Sequence, residues 1–232
     1  MIHLLDLGST PIFEQLRIEE ALLRSTDLNI CVINQGSPRA IVMGISGMPE
    51  KLIEMDLVKE AQIPVIQRFS GGGTVIVDED TLFMTFILNK DKLPISPFPE
   101  PILRWSADFY TKAWNIPQFH LIENDYAIGR KKCGGNAQYI QKERWLHHTS
   151  FLWDYKPENM TFLQLPEKRP KYRENRVHSD FLCKLKDFET SREDLIDQFK
   201  AELERQFSVQ PIQLDQLTFQ PHRQALQLLT LT

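Results

Sequence analysis

Gln67-Arg68-Phe69-Ser70-Gly71-Gly72-Gly73-Thr74-Val75-Ile76-Val77-Asp78 sets three consecutive glycines between two apolar, β-like runs. Glycines in such a place cost backbone entropy and pack nothing. One reading is a flexible hairpin turn. The other is a loop whose bare N–H groups approach an anion or an acyl chain, with Arg68 adding a fixed positive charge. It is not a Walker loop, because the Gly-Lys-Ser/Thr ending is missing. A second stretch, Asn124-Asp125-Tyr126-Ala127-Ile128-Gly129-Arg130-Lys131-Lys132-Cys133-Gly134-Gly135-Asn136-Ala137, joins a basic triplet to two glycines. Alone it reads as a solvated turn. Two glycine-rich basic loops in one domain of this size can surround a single anionic ligand.

The elements around these loops read as helices and strands interleaved without regular βαβ alternation. Ser9 or Thr10 is placed to cap a first helix with Pro11 at its first position and Phe13, Leu16, Leu22 and Leu23 on its buried side. Ile30 to Ile33 and Ala40 to Met43 read as strands, Pro49 to Ala61 as one helix, and Pro64 to Phe69 as a strand entering the glycine loop. Thr74 to Val77 and Thr81 to Leu88 resemble a hairpin closed by Asp78-Glu79-Asp80. The second of these runs does not alternate, as expected of a strand buried on both faces. A helix is expected from Ile102 to Trp114, then strands at Phe119 to Ile122, Tyr126 to Ile128, Asn136 to Ile140 and Trp145 to Trp153. The last helix runs from about Arg192 to Phe207, with Ser191 and Asp194, or Thr190 and Glu193, as a capping box and Leu195, Phe199 and Leu203 as its core face. This order favours an α+β fold, a central mixed and largely antiparallel β-sheet flanked by helices.

The 232-residue chain carries a formal charge of −4 with 42% hydrophobic and 25% charged residues. That is a globular balance, unsuited to coating nucleic acid. No apolar run reaches membrane-spanning length. The N-terminus lacks a basic leader segment and has Asp6 early, so no secretory signal is expected. Cys31, Cys133 and Cys183 form neither a disulfide framework nor a zinc pattern, which points to a reducing compartment, the cytoplasm or an organelle matrix. One domain spanning 1–232 is expected, with no C-terminal accessory domain, because the tail beyond Phe207 is too short for another core.

The glycine stretch, followed by Lys-x-x-Gly-x-Ala at Lys132, Gly135 and Ala137, resembles the lipoate–protein ligase family, within a fold group that includes biotin–protein ligases and octanoyltransferases. The run Glu19 to Arg24, the strand ending at Gly44, Asn124-Asp125 and His147-His148-Thr149 agree in order and spacing, over about residues 10 to 200. The resemblance implies a biotin/lipoate ligase-like catalytic domain. Its reaction would join lipoate (or octanoate) to ATP as an acyl-adenylate, lipoyl-AMP, releasing pyrophosphate. The acyl group would then pass to a lysine of a lipoyl acceptor domain, of 2-oxoacid dehydrogenase or glycine cleavage proteins. Either the chain acts alone or a separate accessory subunit completes it. Lys132 would bridge carboxyl and phosphate oxygens, with Lys131 as the adjacent alternative. Gly71, Gly72 and Gly73 would lie against the acyl chain, and Arg68 would contact its acyl or phosphate end. Ser70, Asp78, Asn124, Gly135, Asn136, Ala137 and His148 complete the expected substrate and ATP site, and Asp125 would be a Mg²⁺ ligand.

The sequence departs from the family pattern at two places. Gln67-Arg68 replaces an arginine pair, and Val77 stands where a histidine often precedes the aspartate. On a strand, His147 and His148 point to opposite faces, and His148 is assigned to the pocket. Neither has a partner at zinc-ligand spacing, and His178 reads equally well as a surface residue. Two alternatives stay open: an ATP-independent transferase using a cysteine thioester at Cys133, whose pKa Lys132 would lower, and a non-catalytic lipoate-binding relative. Cys183 reads as packed. The basic segment Lys168 to Arg176 is either a solvated connector, a cover for the adenylate, or a surface steering acidic acceptor domains.

Overall fold

The computed structural model describes residues 1–165, 169–189 and 191–231. In chain order these are β1 (Ile2–Asp6), α1 (Ile12–Ser25), β2 (Ile30–Asn34), β3 (Ala40–Met43), α2 (Pro49–Leu52), α3 (Met55–Glu60), β4 (Val65–Gln67), β5 (Val75–Val77), β6 (Thr81–Asn89), α4 (Pro99–Trp114), β7 (Phe119–Ile122), β8 (Asp125–Ile128), β9 (Lys131–Ile140), β10 (Arg144–Leu152), α5 (His178–Phe181), α6 (Arg192–Gln206), β11 (Val209–Pro211) and β12 (Gln227–Leu229), with short 3₁₀ turns between them. The fold is α+β, as expected, but it holds two sheets. An eight-stranded sheet runs β11-β1-β2-β6-β10-β9-β8-β7 and a four-stranded one β12-β4-β3-β5. The β1–β11, β1–β2 and β3–β4 pairings are parallel, and the other named strand pairs are antiparallel.

Strand β6 is buried from Thr81 to Leu88. One face of the large sheet carries the aromatic core under α4 and α6, in which Phe86, Phe109 and Phe199 pack edge-on or tilted. Leu195, Phe199 and Leu203 are fully buried there, and Ser191 accepts the Asp194 N–H as the expected cap. Thr190 lies outside the described residues. The other face carries α1 through Ile18, Leu22 and Leu23.

Three local expectations change. Ser9 and Thr10 do not cap α1; Ser37, from the β2–β3 loop, accepts the Ile12 N–H at 2.9 Å, while Asn34 takes the Thr10 N–H. The helix expected from Pro49 to Ala61 breaks at Ile53 and Glu54, which pair with Leu163 and Phe162 instead of continuing the turn. The runs Thr74–Val77 and Thr81–Leu88 do not form a hairpin: β5 pairs with β3, and β6 with β2 and β10. Their acidic turn therefore carries the chain from one sheet to the other. The tail after α6 adds an edge strand to each sheet and lays Ile212, Leu217, Phe219 and Ala225 on the α1 side of the core.

Candidate functional site

The crossover from β5 to β6 leaves a slot between the two sheets. Thr74 to Val77 form one wall. Lys132, Gly134 and Gly135 of β9 and Ser150 and Leu152 of β10 form another, and Met160, Leu163, Arg173, His178, Phe181 and Leu182 close it over. The lining is mainly apolar and carries two cations, Lys132 and Arg173.

The glycine loop is held in place by its neighbours. Gly72 has φ +110°, where a side chain is strained, and a Cβ there would stand 2.6 Å from Arg68 Nη2. The buried Arg68 guanidinium folds back on its own loop, donating to the Gly71 carbonyl at 2.8 Å from Nη2 and 3.3 Å from Nε. Burial draws its pKa down to about 10, leaving it charged at neutral pH. Arg68 thus clamps the loop from within. Gly44 packs so closely that a Cβ on it would sit 2.3 Å from the Gly72 carbonyl oxygen. The buried Ser70 accepts the Ile45 N–H through its own carbonyl. Gly71 and Gly73 face open space.

A bulge sets up the second loop. Between Tyr126 and Ala127 the β8–β9 register shifts by one residue, from Gly134 to Lys132, so Cys133 has no partner of its own. Cys133 and Gly134 then both face the aromatic core: Cys133 is fully buried, its Sγ on the Tyr126 carbonyl at 3.4 Å, and a Cβ on Gly134 would meet Phe151 at 2.5 Å. Alternation resumes with Gly135 on the same side as Lys132, whose Nζ lies 3.2 Å from the Cβ position of Gly135. Lys132 enters the slot and Lys131 is exposed. Burial, with the adjacent Cys183 thiol, pushes the Cys133 pKa well up, against the lowering expected from Lys132. The half-buried Cys183 thiol is drawn down, chiefly by its hydrogen bond with Cys133.

Lys132 Nζ donates to Asp125 Oδ1 at 2.7 Å, and the Tyr172 hydroxyl donates to Oδ2 at 3.0 Å. Both Asp125 oxygens are therefore engaged, and no group of three or more His, Cys, Asp or Glu suited to a metal exists among the described residues. This donor set does not fit a protein-held Mg²⁺, and Asp125 is instead the partner that orients Lys132. Asn136 donates to the Asn124 carbonyl at 2.6 Å, and its own carbonyl lies 3.6 Å from the Cβ position of Gly72, so the two glycine-rich loops do meet.

Asp78 does not line the slot. Its carboxylate holds the sheet-to-sheet turn, accepting from Asn159 at 2.9 Å and from the Asp80 N–H at 3.0 Å, and burial raises its pKa. The two histidines do point to opposite faces. His147 sits in the core between Tyr126 and Gln138, neutral, its pKa lowered to about 3 by burial. His148, opposite Ala137 across the β9–β10 pair, places Nδ1 3.0 Å from both oxygens of the fully buried Glu19 on α1. It lies two residues along β10 from Ser150, on the slot side of the sheet. Glu19 also accepts from Thr85 at 2.7 Å and Gln15 at 2.8 Å, while Glu20 accepts the Ala225 and Leu226 N–H groups of the tail. The Glu-Glu pair thus serves two different anchors.

The sequence does not single out Tyr172, places Arg173 only within the basic segment and leaves His178 readable as a surface residue, because a proline-broken basic stretch carries no periodicity from which a facing direction can be read. Arg173 is 5% exposed, with its guanidinium 4.8 Å over the Phe181 ring. Burial, then the Arg173 and Lys132 charges, bring the His178 pKa down to about 4, so it is neutral at pH 7. Arg176 spends its donors on the Arg173, Arg130 and Tyr172 carbonyls. Both arginines are thus tied to the segment itself, Arg173 buried and Arg176 half-buried. Lys168 lies outside the described residues.

Fold and slot define an α+β domain with a lysine-bearing, apolar cleft between two sheets. The chain belongs to the lipoyl protein ligase A/B catalytic domain family, whose model matches residues 11–208. Inactive lipoate–protein ligase 2 of Plasmodium falciparum is 28% identical over 80% of this chain and 64% of its own length. The chain spans less than two thirds of the curated relatives it matches. Among solved structures, lipoate–protein ligase A bound with ATP superposes with a TM-score of 0.74 at 17% identity, covering 90% of this chain and 88% of that one. The bipartite lipoate protein ligase of Thermoplasma acidophilum, studied with its E2 lipoyl domain, gives 0.73 at 19% identity, over 90% and 86%. At these identities the structures speak for the fold. No helix among the described residues is long and apolar enough to cross a membrane.

Proposed function

We propose that the chain activates lipoate, or octanoate, with ATP and transfers the acyl group to a lysine of a lipoyl acceptor domain. The observation that carries this reading is Lys132: a primary ammonium oriented by Asp125 at the polar end of an apolar slot, backed by a glycine that lets it lie flat. A carboxylate oxygen attacking the α-phosphorus of ATP brings two anions together, and the bond to pyrophosphate breaks. An ammonium between them lowers that repulsion and stabilises the charge that develops. In the second step an acceptor lysine amine attacks the acyl carbon, AMP leaves, and Lys132 faces the acyl oxygen. The apolar wall of Val75, Ile76, Leu152 and Leu163 suits an aliphatic chain, each buried methylene contributing about 0.8 kcal/mol.

The thioester route has less support, since Cys133 points into the aromatic core and its thiol stays protonated. A single-domain enzyme, with or without a separate accessory subunit, acting on 2-oxoacid dehydrogenase or glycine cleavage acceptors in the cytoplasm or an organelle matrix, completes the proposal. Lipoate-dependent ATP–pyrophosphate exchange tests it, and its absence in protein that binds both ligands would reject it. Val77, where the family often has histidine, and the inactive relative favour one second reading, a lipoate-binding protein without turnover. That reading expects lipoate binding with no exchange.

A further inference from the structure

Arg173 presents a feature that nothing among the described residues answers. Its Nη2 is buried with no hydrogen-bond partner among the described residues. Its Nε donates to the Arg176 carbonyl at 3.2 Å, and its guanidinium face covers Phe181. The residue lines the slot that holds Lys132, on the segment that closes over it. A buried guanidinium donor left unpaired is costly, and such groups in native proteins ask for an explanation.

The surrounding charges supply one. The groups acting on Arg173 are Arg169, Arg176, Asp125 and Tyr172. Asp125, the acid among them, already holds Lys132 at 2.7 Å and accepts from Tyr172. His178, close to both Arg173 and Lys132, is neutral and brings no negative charge. Lys132 and Asp125 form an ion pair, and among the described residues Arg173 has none. An oxyanion entering the slot would balance the Arg173 charge, and a guanidinium presents a planar fork suited to phosphate and carboxylate.

We propose that Arg173 is a second oxyanion-binding cation of this site, set across the slot from Lys132 and closing on the phosphoryl or carboxylate group of the bound substrates. This rests on the reading that the slot holds lipoate and ATP. The segment that carries Arg173 is anchored at both ends: Tyr172 touches the Asp125–Lys132 pair, and Arg176 braces the turn through three carbonyls.

Arg173→Met keeps the length and the contact with Phe181 while removing the unpaired donor. Binding of ATP alone and of lipoate alone is measured by calorimetry on wild type and variant, with the melting temperature of the ligand-free proteins. The expected result is at least a tenfold loss of affinity for one ligand, with ligand-free melting unchanged or raised. Loss for ATP assigns the phosphoryl group and loss for lipoate the carboxylate. Arg173→Lys should recover part of the affinity. Both affinities within twofold of wild type would overturn the proposal. So would a fall in ligand-free melting that accompanies equal losses for both ligands, the signature of a structural arginine. Wild-type protein that binds lipoate but never ATP would overturn ATP-dependent activation while leaving Arg173 to the lipoate arm.

Discussion

At the scale of single residues, the site turns on which of two adjacent lysines faces the slot. The Lys-x-x-Gly-x-Ala spacing selects Lys132, and in the structure the bulge at Cys133 is what puts Lys132 and Gly135 on one side. Lys132→Ala should lower lipoate-dependent pyrophosphate exchange by roughly 10²–10³-fold, the scale of removing one donor that stabilises developing charge. Arginine should rescue poorly, being a wide planar group in place of a compact ammonium. Lys131→Ala should stay within a few-fold of wild type, because that side chain is solvated. The reverse pattern would move the assignment by one residue. Cys133→Ser should keep exchange, at some cost in melting temperature from burying a hydroxyl among aromatic rings; loss of transfer with an unchanged fold would revive the thioester route. The roles of Arg68 and Asp125 were only half legible. Their charges are visible in the sequence, but the Gly71 carbonyl and the Lys132 ammonium they bind are brought to them by folding.

Among the elements, the helices and the long strands were readable because burial repeats with a period. Leu195, Phe199 and Leu203 mark α6, and unbroken apolarity marks β6. Which strand pairs with which was not readable. Short turns after β2 and β5 look like hairpin turns, yet each passes the chain between sheets, and no local pattern records a partner many residues away. The glycines behave similarly: their number suggests a ligand loop, whereas two of them answer packing. A Cβ on Gly134 would stand 2.5 Å from the fully buried Phe151 ring. Gly134→Ala should therefore destabilise by about 1–3 kcal/mol, the range for overpacking a core, seen as a lower midpoint in urea with an unchanged slope. Gly72→Ala meets the end of the Arg68 side chain and a strained φ, so it should spare the core but weaken lipoate binding by loosening the loop. Equal stability loss in the two variants would mean that the glycine loop belongs to the core rather than to the site.

For the whole molecule, one β-strand pair joins two unlike environments. His148 turns to the α1 side, where the buried Glu19 carboxylate awaits it; His147 turns to the aromatic side, between the uncharged Tyr126 and Gln138. Gln138 donates to Nδ1 of His147, so Nε2 carries the hydrogen and donates to the Tyr126 hydroxyl, which passes the chain on to Ser106. That arrangement needs a neutral ring, and burial lowers its pKa from 6.5 to about 3. The sign of the pH effect follows. Between these values the unfolded chain binds a proton on this histidine and the folded protein does not, so stability rises with pH. The contribution is fully present above pH 6.5 and is lost as pH falls towards about 3. His178, whose pKa is about 4, adds a similar slope over a narrower range. Urea unfolding of wild type and His147→Gln at pH 7 and at pH 4.5 separates the two histidines. Glutamine keeps a donor and an acceptor but does not titrate. The variant should lose about 2–3 kcal/mol less stability than wild type between those two pH values, even if it starts from a lower value at pH 7. Parallel losses in the two proteins would show that His147 is protonated in the fold, and the Gln138 amide would then have to turn its oxygen towards Nδ1.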